Sequence, residues 1–326
     1  MTAKETLYRG RPAWIIDGEA LSITVMRTGC HLASLHSPSD SELINPLWNP
    51  QWPSGDPATA ASTGTWGTGE HAVEAPLLAS ICGSNLCADR FGAPHPGEVR
   101  PLHGEAGVVE WALAPGQPDA AGACTFTATL PHARLRVSRT FTLSGSTVTV
   151  TSALEDASGA PRDVEVCEHT TLGGAFLDGV AAVEASVDAG AEMTGGEDAP
   201  EVAPAEVLRV PAPGDPPAGS VRTLRVAPSE RAWWAATNSA RGWRLRATWA
   251  RSDFPWLCVW TEHKKRTHAP WAGRERTRGM EVSTKPFPEG APPSSRADEF
   301  LGAPTRVTLP AGGRTTRSIT LAWERV

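Results

Sequence analysis

The sequence predicts an all-β chain, mostly antiparallel, on three observations. Its middle contains three runs that alternate apolar and polar residues, CTFTATL, RLRVSRTFTL and STVTVTSALE, the period of two that a half-buried strand requires. Other regular segments are short, rich in β-branched and aromatic residues, and bounded by Gly, Asp, Pro and Ser. Helix is expected in one place, residues 70–80, where Pro76 kinks it or confines it to a shorter piece.

From the N-terminus, Ala13–Ile16, Leu21–Met26 and His31–His36 read as three short strands broken by Asp17-Gly18 and Gly29. Residues 45–69, NPLWNPQWPSGDPATAASTGTWGTG, turn to Pro, Gly, Ser, Thr and Trp and read as a long loop. Long ordered loops with aromatics tend to be functional. In residues 84–111, Arg90, His95, His103 and Glu105 lie close together with little hydrophobic period, as at a sheet edge or rim. The alternating runs then set Leu135, Val137, Phe141 and Leu143 on one face, with Ser144-Gly145 turning the chain before Val148 and Val150. Asp163–Cys167 reads as a further strand leading into Glu168 and His169, where alternation stops as two ionisable residues enter. Residues 188–219, rich in Ala, Pro, Glu and Gly, read as a loop-rich excursion. Strands are expected again at 221–226, 231–237, 243–249, 256–260, 306–309 and 315–323. The chain, 1–326, is expected to form one domain.

The stretch Asp253–Phe287 draws the reading together. Trp256, Cys258 and Trp260 fall on one face of an extended segment and Leu257 and Val259 on the other, a strand covered on both sides. Gly279–Ser283 sets Met280 and Val282 on one face and Glu281 alone on the opposite one. A carboxyl group between apolar neighbours is either paired or functional.

Composition narrows the classes. Thirty basic against 36 acidic residues give a net charge of −6, which argues against a general nucleic-acid binder. The opening MTAKETLYRGRPAWIID carries no charged-then-apolar targeting pattern, and no apolar run approaches the roughly 18 residues of a membrane helix. A cytoplasmic location is the expectation. The six cysteines, at 30, 82, 87, 124, 167 and 258, contain no CxxC pair, so reduced, buried thiols are expected. His263 and His268 are too isolated for a zinc site, and no metal is expected. Thirteen Trp accompany a single Tyr; most indoles serve a core, and some offer faces for a ligand. Neither a GxGxxG nor a GxxxxGK[ST] fingerprint is present.

Four short segments carry candidate chemistry: Asp89-Arg90-Phe91-Gly92, Pro101-Leu102-His103-Gly104-Glu105, Glu168-His169-Thr170-Thr171-Leu172-Gly173 and Gly279-Met280-Glu281-Val282. Each alone reads as readily as a hydrogen-bonded turn. Together they supply an anchor for hydroxyl or anion, two acids and a base. Their order, DRFG, PLHGEAG, EHTTLGG, then VWTEH with RGMEVSTKPF, resembles the aldose 1-epimerase family of the galactose mutarotase-like superfamily, from about Leu32 to Phe287. Uncharacterised bacterial members are the nearer match, because Glu168 stands where the well-studied galactose mutarotases have Asn. In addition, no segment here supplies their sugar-binding Asp.

The resemblance implies a large antiparallel β-sandwich with a broad sugar-binding cleft and interconversion of α and β anomers without a cofactor. On this reading Glu281 takes the proton from O1, His169 protonates the ring oxygen, and His103 holds or polarises a sugar oxygen. Arg90 and Glu168 bind substrate. Trp260 and Trp271, with Trp66 and Trp256 as further candidates, lie against the ring. The partner is a small carbohydrate. A non-catalytic sugar-binding or regulatory protein on the same scaffold is the alternative. A uronate lyase would want a Tyr or Lys base, and the single Tyr, Tyr8, disfavours it. The segment 263–278 carries six Lys or Arg against one Glu. It reads as a solvated loop, then as a grip on an anionic sugar, and last as a nucleic-acid contact.

Overall fold

Alternating sequences pair into two antiparallel sheets, in a computed structural model that describes residues 2–94, 98, 100–119, 122–193, 199–288 and 298–326. Five strands open the larger sheet: β1 (Thr2–Tyr8), β2 (Arg11–Asp17), β3 (Ser22–Met26), β4 (Leu32–His36) and β5 (Ser84–Asp89). The chain then crosses to the second sheet for β6 (Ala112–Leu113), β7 (Ala123–Leu130), β8 (Leu135–Ser144) and β9 (Thr147–Asp156), and returns as β10 (Arg162–Gly173). It enters the second sheet three more times. β11 (Val183–Ala185), β14 (Arg231–Asn238), β15 (Trp243–Ala250) and β21 (Arg314–Arg325) join the second sheet. β12 (Val187–Glu192), β13 (Ala218–Val226), β16 (Trp256–His263) and β17 (Arg276–Ser283) complete the first. β18 (Glu299–Phe300) and β19 (Ala303–Pro304) form a small ribbon, and β20 (Val307–Leu309) pairs with the outer end of β10.

The larger sheet runs β1-β2-β3-β4-β5-β10-β17-β16-β13-β12 and the second β11-β14-β15-β21-β9-β8-β7-β6. Their facing sides share one core. Leu86, Val166, Leu257, Val259, Met280 and Val282 meet Val137, Phe141, Val150, Leu245, Ile319 and Trp323, and each such side chain taken out of water contributes about 2 kcal/mol. The alternation read at 256–260 and 279–283 is realised, with Leu257, Val259, Met280 and Val282 facing this core. An ion pair lies inside it. Arg139, on β8, donates to Glu168 of β10 at 2.6 Å and to the Cys30 carbonyl at 2.9 Å. Ser152 donates to the other Glu168 oxygen at 2.5 Å, and both charged side chains are fully buried. The sheets are thus joined by a hydrogen-bonded ion pair as well as by apolar packing.

Five sequence expectations need correction. Residues 45–69 are not all loop, since α1 (Pro57–Thr63) forms there with Asp56 as N-cap and Pro57 in the first turn. The helix expected at 70–80 is a 3₁₀ turn, Gly69–Glu74, followed by α2 (Ala75–Leu78), and Pro76 sits in the first turn of α2, where it is tolerated. Ser84–Asp89, expected at an edge or rim, is the interior strand β5; pairing with β10 and burial of Leu86 and Ala88 outweigh its weak strand propensity. The excursion at 188–219 holds β12, a short helix α3 (Pro204–Leu208) and the start of β13. In addition, β10 continues to Gly173, so His169 lies within a strand rather than at its end.

Candidate active site

The outer face of the larger sheet carries the expected chemistry, because side chains two apart on a strand share a face. Register then aligns neighbouring strands. Asn85 of β5 pairs with His169 of β10, His169 with Glu281 of β17, Glu281 with Cys258 of β16, and Cys258 with Thr223 of β13. A row of polar and thiol side chains thus crosses the sheet at one level.

Within this row His169 Nε2 lies 3.1 Å from Glu281 Oε1, while His169 Nδ1 is 3.0 Å from Thr171 Oγ1. Both are almost fully buried. Burial pushes the Glu281 carboxyl up to about 8, partly opposed by a hydrogen bond from the Cys258 thiol. Burial likewise pulls His169 down to about 4. Near neutral pH the pair is therefore uncharged and holds one exchangeable proton. Gly279, two residues before Glu281, gives the carboxyl its space, since a Cβ there would collide with Glu281 Oε1.

His103 reaches the same place from the connection between β5 and β6. Its φ is +63°, and it is followed by Gly104 at +79°. A Cβ on Gly104 would strike the Ala88 carbonyl, which explains the glycine of the LHG segment. The His103 amide donates to the Gly92 carbonyl at 2.7 Å, and the Gly92 amide donates to His103 Nδ1 at 3.0 Å. Desolvation, then His169 and Arg266, keep this imidazole well below its usual range and neutral. With Nδ1 accepting, the proton resides on Nε2. The His103 and His169 rings lie 5.1 Å apart, edge to face.

These three residues line a cavity of about 190 Å³. Its aromatic wall is Trp48, Trp260 and Trp271; Trp48 and Trp271 stack at 5.8 Å, and Trp260 meets both edge-on. Trp48 is fixed by donating to Glu275 at 2.8 Å. Arg266 lays its guanidinium 4.7 Å from the Trp271 ring and 5.4 Å from that of Trp260. Leu77, Leu78, Ile81 and Leu102 supply much of the remaining wall, which Glu74 also lines.

The sequence therefore brought together Glu281, His169, His103, Trp260 and Trp271, and the structure gathers them in one cavity. Two expected substrate contacts are elsewhere. Glu168 points into the core toward Arg139, because it neighbours His169 on a strand and so faces the opposite way. Arg90 does not line the cavity; its guanidinium donates to Glu98 at 2.8 Å. Trp66 packs over Gly55, and Trp256 lies beneath Phe300, so neither reaches the cavity. His95 lies outside the described residues.

Trp48 and Arg266 escaped the reading. Trp48 sat among several aromatics of an apparent loop, and Arg266 is one of six cations in the basic segment. That segment is not a free solvated loop. Lys264 donates to the Pro213 carbonyl, Arg276 is tied to His263, Asp178 and the Pro211 carbonyl, and buried Arg278 donates to Thr261. Arg266 alone among its cations lines the cavity, and Glu262 at 3.6 Å and Glu74 at 3.8 Å already meet its charge. Among the described residues, no group of three or more His, Cys, Asp or Glu could hold a metal ion, and no helix is long and apolar enough to cross a membrane.

No family model and no curated protein matches the sequence. Solved structures do match the fold. A candidate aldose 1-epimerase from Klebsiella pneumoniae aligns with a TM-score of 0.68 at 15% identity, covering 96% of this chain and 79% of that one. A galactose mutarotase-like protein from Clostridium acetobutylicum gives 0.66 at 11% identity, covering 100% and 99%. A candidate mutarotase from Salmonella typhimurium gives 0.65 at 12%, covering 99% and 94%. The chain has the galactose mutarotase-like β-sandwich fold.

Proposed function

We propose that the chain is an aldose 1-epimerase-type isomerase that interconverts the anomers of a cyclic sugar by acid and base catalysis. The observation that carries this reading is the His169–Glu281 contact, 3.1 Å on the floor of an aromatic-walled cavity. Ring opening needs a base at O1 and an acid at the ring oxygen in the same event. One proton shared by the pair suffices for both roles. In the ionic form, Glu281 carboxylate removes the O1 proton while protonated His169 delivers its own to O5, and the C1–O5 bond breaks to give the open aldehyde. The residues are then left as carboxylic acid and neutral imidazole, the form that burial favours. Rotation about C1–C2 followed by the reverse transfers closes the other anomer and restores the ionic pair. His103 donates from Nε2 to a sugar oxygen as charge develops there, and Trp260 offers an indole face to the ring.

A second reading, a sugar-binding protein without turnover, draws support from the turning away of Arg90 and Glu168 from the cavity. Anomer exchange measured by NMR saturation transfer over a sugar panel, for wild type and Glu281→Gln, separates the two. Acceleration over buffer that disappears in the variant supports the isomerase. Resonance shifts on binding with no acceleration in either protein would leave the binding protein.

A further inference from the structure

We propose that the substrate is a hydroxyl-poor cyclic hemiacetal, a deoxy sugar or a sugar with alkylated hydroxyls, rather than a fully hydroxylated aldose. The inference rests on the proposed acid–base reading and adds the class of molecule. Among the described residues, the cavity presents five charged or ionisable side chains: His103, His169, Glu281, Glu74 and Arg266. The first three converge at one end and are committed to the reacting centre, one anomeric hydroxyl and one ring oxygen. Glu74 and Arg266 face each other at 3.8 Å, and the guanidinium already covers two indoles.

Beyond them the described wall is mostly aliphatic and aromatic, with Leu77, Ile81, Leu102 and Val221 in addition to the tryptophans, and of its lining residues Trp271 Nε1 and one Glu74 oxygen are buried without a hydrogen-bond partner. Such surfaces favour C–H and methyl groups and leave most hydroxyls without a partner. A fully hydroxylated hexopyranose brings four hydroxyls besides the anomeric one. Each one desolvated against this wall without a hydrogen bond weakens binding by about tenfold or more. An anionic sugar fits no better, since Arg266, the one arginine lining the cavity among the described residues, has its charge met in place by Glu74 and Glu262.

The test compares matched sugars: galactose with 6-deoxygalactose, glucose with 2,6-dideoxyglucose, and each parent with its 4-O-methyl ether. Anomer exchange is expressed relative to buffer, and binding is measured in parallel by saturation-transfer difference. The expected result is a kcat/KM at least tenfold higher for the deoxy or methylated member of each pair. Val221→Thr, which puts a hydroxyl into the wall at nearly constant shape, is expected to narrow that gap. A parent hexose exchanged as well as its deoxy partner overturns the substrate class while leaving the isomerase intact. Deoxy sugars that bind preferentially but never exchange keep the ligand class and remove the isomerase. Equal or absent binding across every pair overturns the inference.

Discussion

Glu281 folds its carboxyl group over Gly279, its neighbour but one on β17 and on the same face of the sheet. The glycine acts here through its missing side chain, which leaves the carboxyl room beside His169. Gly279→Ala is therefore expected to displace Glu281 by about an ångström. Anomer exchange should drop by roughly 10², with stability lowered by about 1–3 kcal/mol. Saturation transfer and urea denaturation of the same preparations measure the two effects, and wild-type exchange in the alanine variant would refute this role.

On the proposed acid–base reading, the pH dependence of turnover follows from the single proton that the pair holds. The one-proton form exists above the His169 value of about 4 and below the Glu281 value of about 8. A bell-shaped kcat/KM is expected, with limbs near those values once buffer catalysis is subtracted. Cys258→Ala removes the thiol hydrogen bond that holds Glu281 down. Its alkaline limb should then move to higher pH while the acid limb stays. An unmoved alkaline limb would show that the thiol does not tune the carboxyl.

Stability should respond to the same carboxyl with a definite sign. Glu281 rises from 4.5 to about 8 on folding, so the folded state keeps a proton that the unfolded chain releases between those values. Its contribution is fully present below about 4.5 and is lost as pH rises through about 8, at up to about 1.4 kcal/mol per pH unit. His169 and His31, both lowered to about 4, act in the opposite sense, so their contribution is lost as pH falls from 6.5 through about 4. Urea titrations from pH 5 to 9 should show the alkaline decline in wild type. Glu281→Gln, a neutral isostere, should flatten it.

The buried ion pair predicts a non-additive stability effect. Glu168→Gln leaves the fully buried Arg139 guanidinium uncompensated and is expected to cost about 3–5 kcal/mol. Replacing both, as Glu168→Gln with Arg139→Met, should recover much of that loss. Chemical denaturation of the singles and the double checks this, and additive losses would argue against direct coupling.

Much of the site was legible because it depends on local alternation. Leu257 and Val259 declare the core face of β16 by being apolar between Trp256, Cys258 and Trp260, and Met280 and Val282 do the same for β17, which leaves Glu281 facing the cavity. What depends on another sheet was not legible. The sequence around Glu168 resembles a site, yet its partners, Arg139 and Ser152, come from the opposite layer. Ser84–Asp89 is not legible as a strand for a related reason, as its strand conformation is imposed by neighbours on both edges rather than by β-branched residues of its own. The Asp56-Pro57 signal that starts α1 was present in the sequence but was masked by the surrounding Gly, Pro and Ser.

The cross-strand row from Asn85 to Thr223 has a further consequence, for assembly. Its members come from segments up to 196 positions apart, between 85 and 281, and meet only when every intervening strand is paired in the correct frame. A slip of one residue between β10 and β17 would set Met280 or Val282 opposite His169 and turn His169 and Glu281 to opposite sides of the sheet. On the proposed acid–base reading, assembly of the site is thus a late event in folding, and recovery of anomer exchange after refolding should lag behind the recovery of strand structure, timing the closure of the sheet.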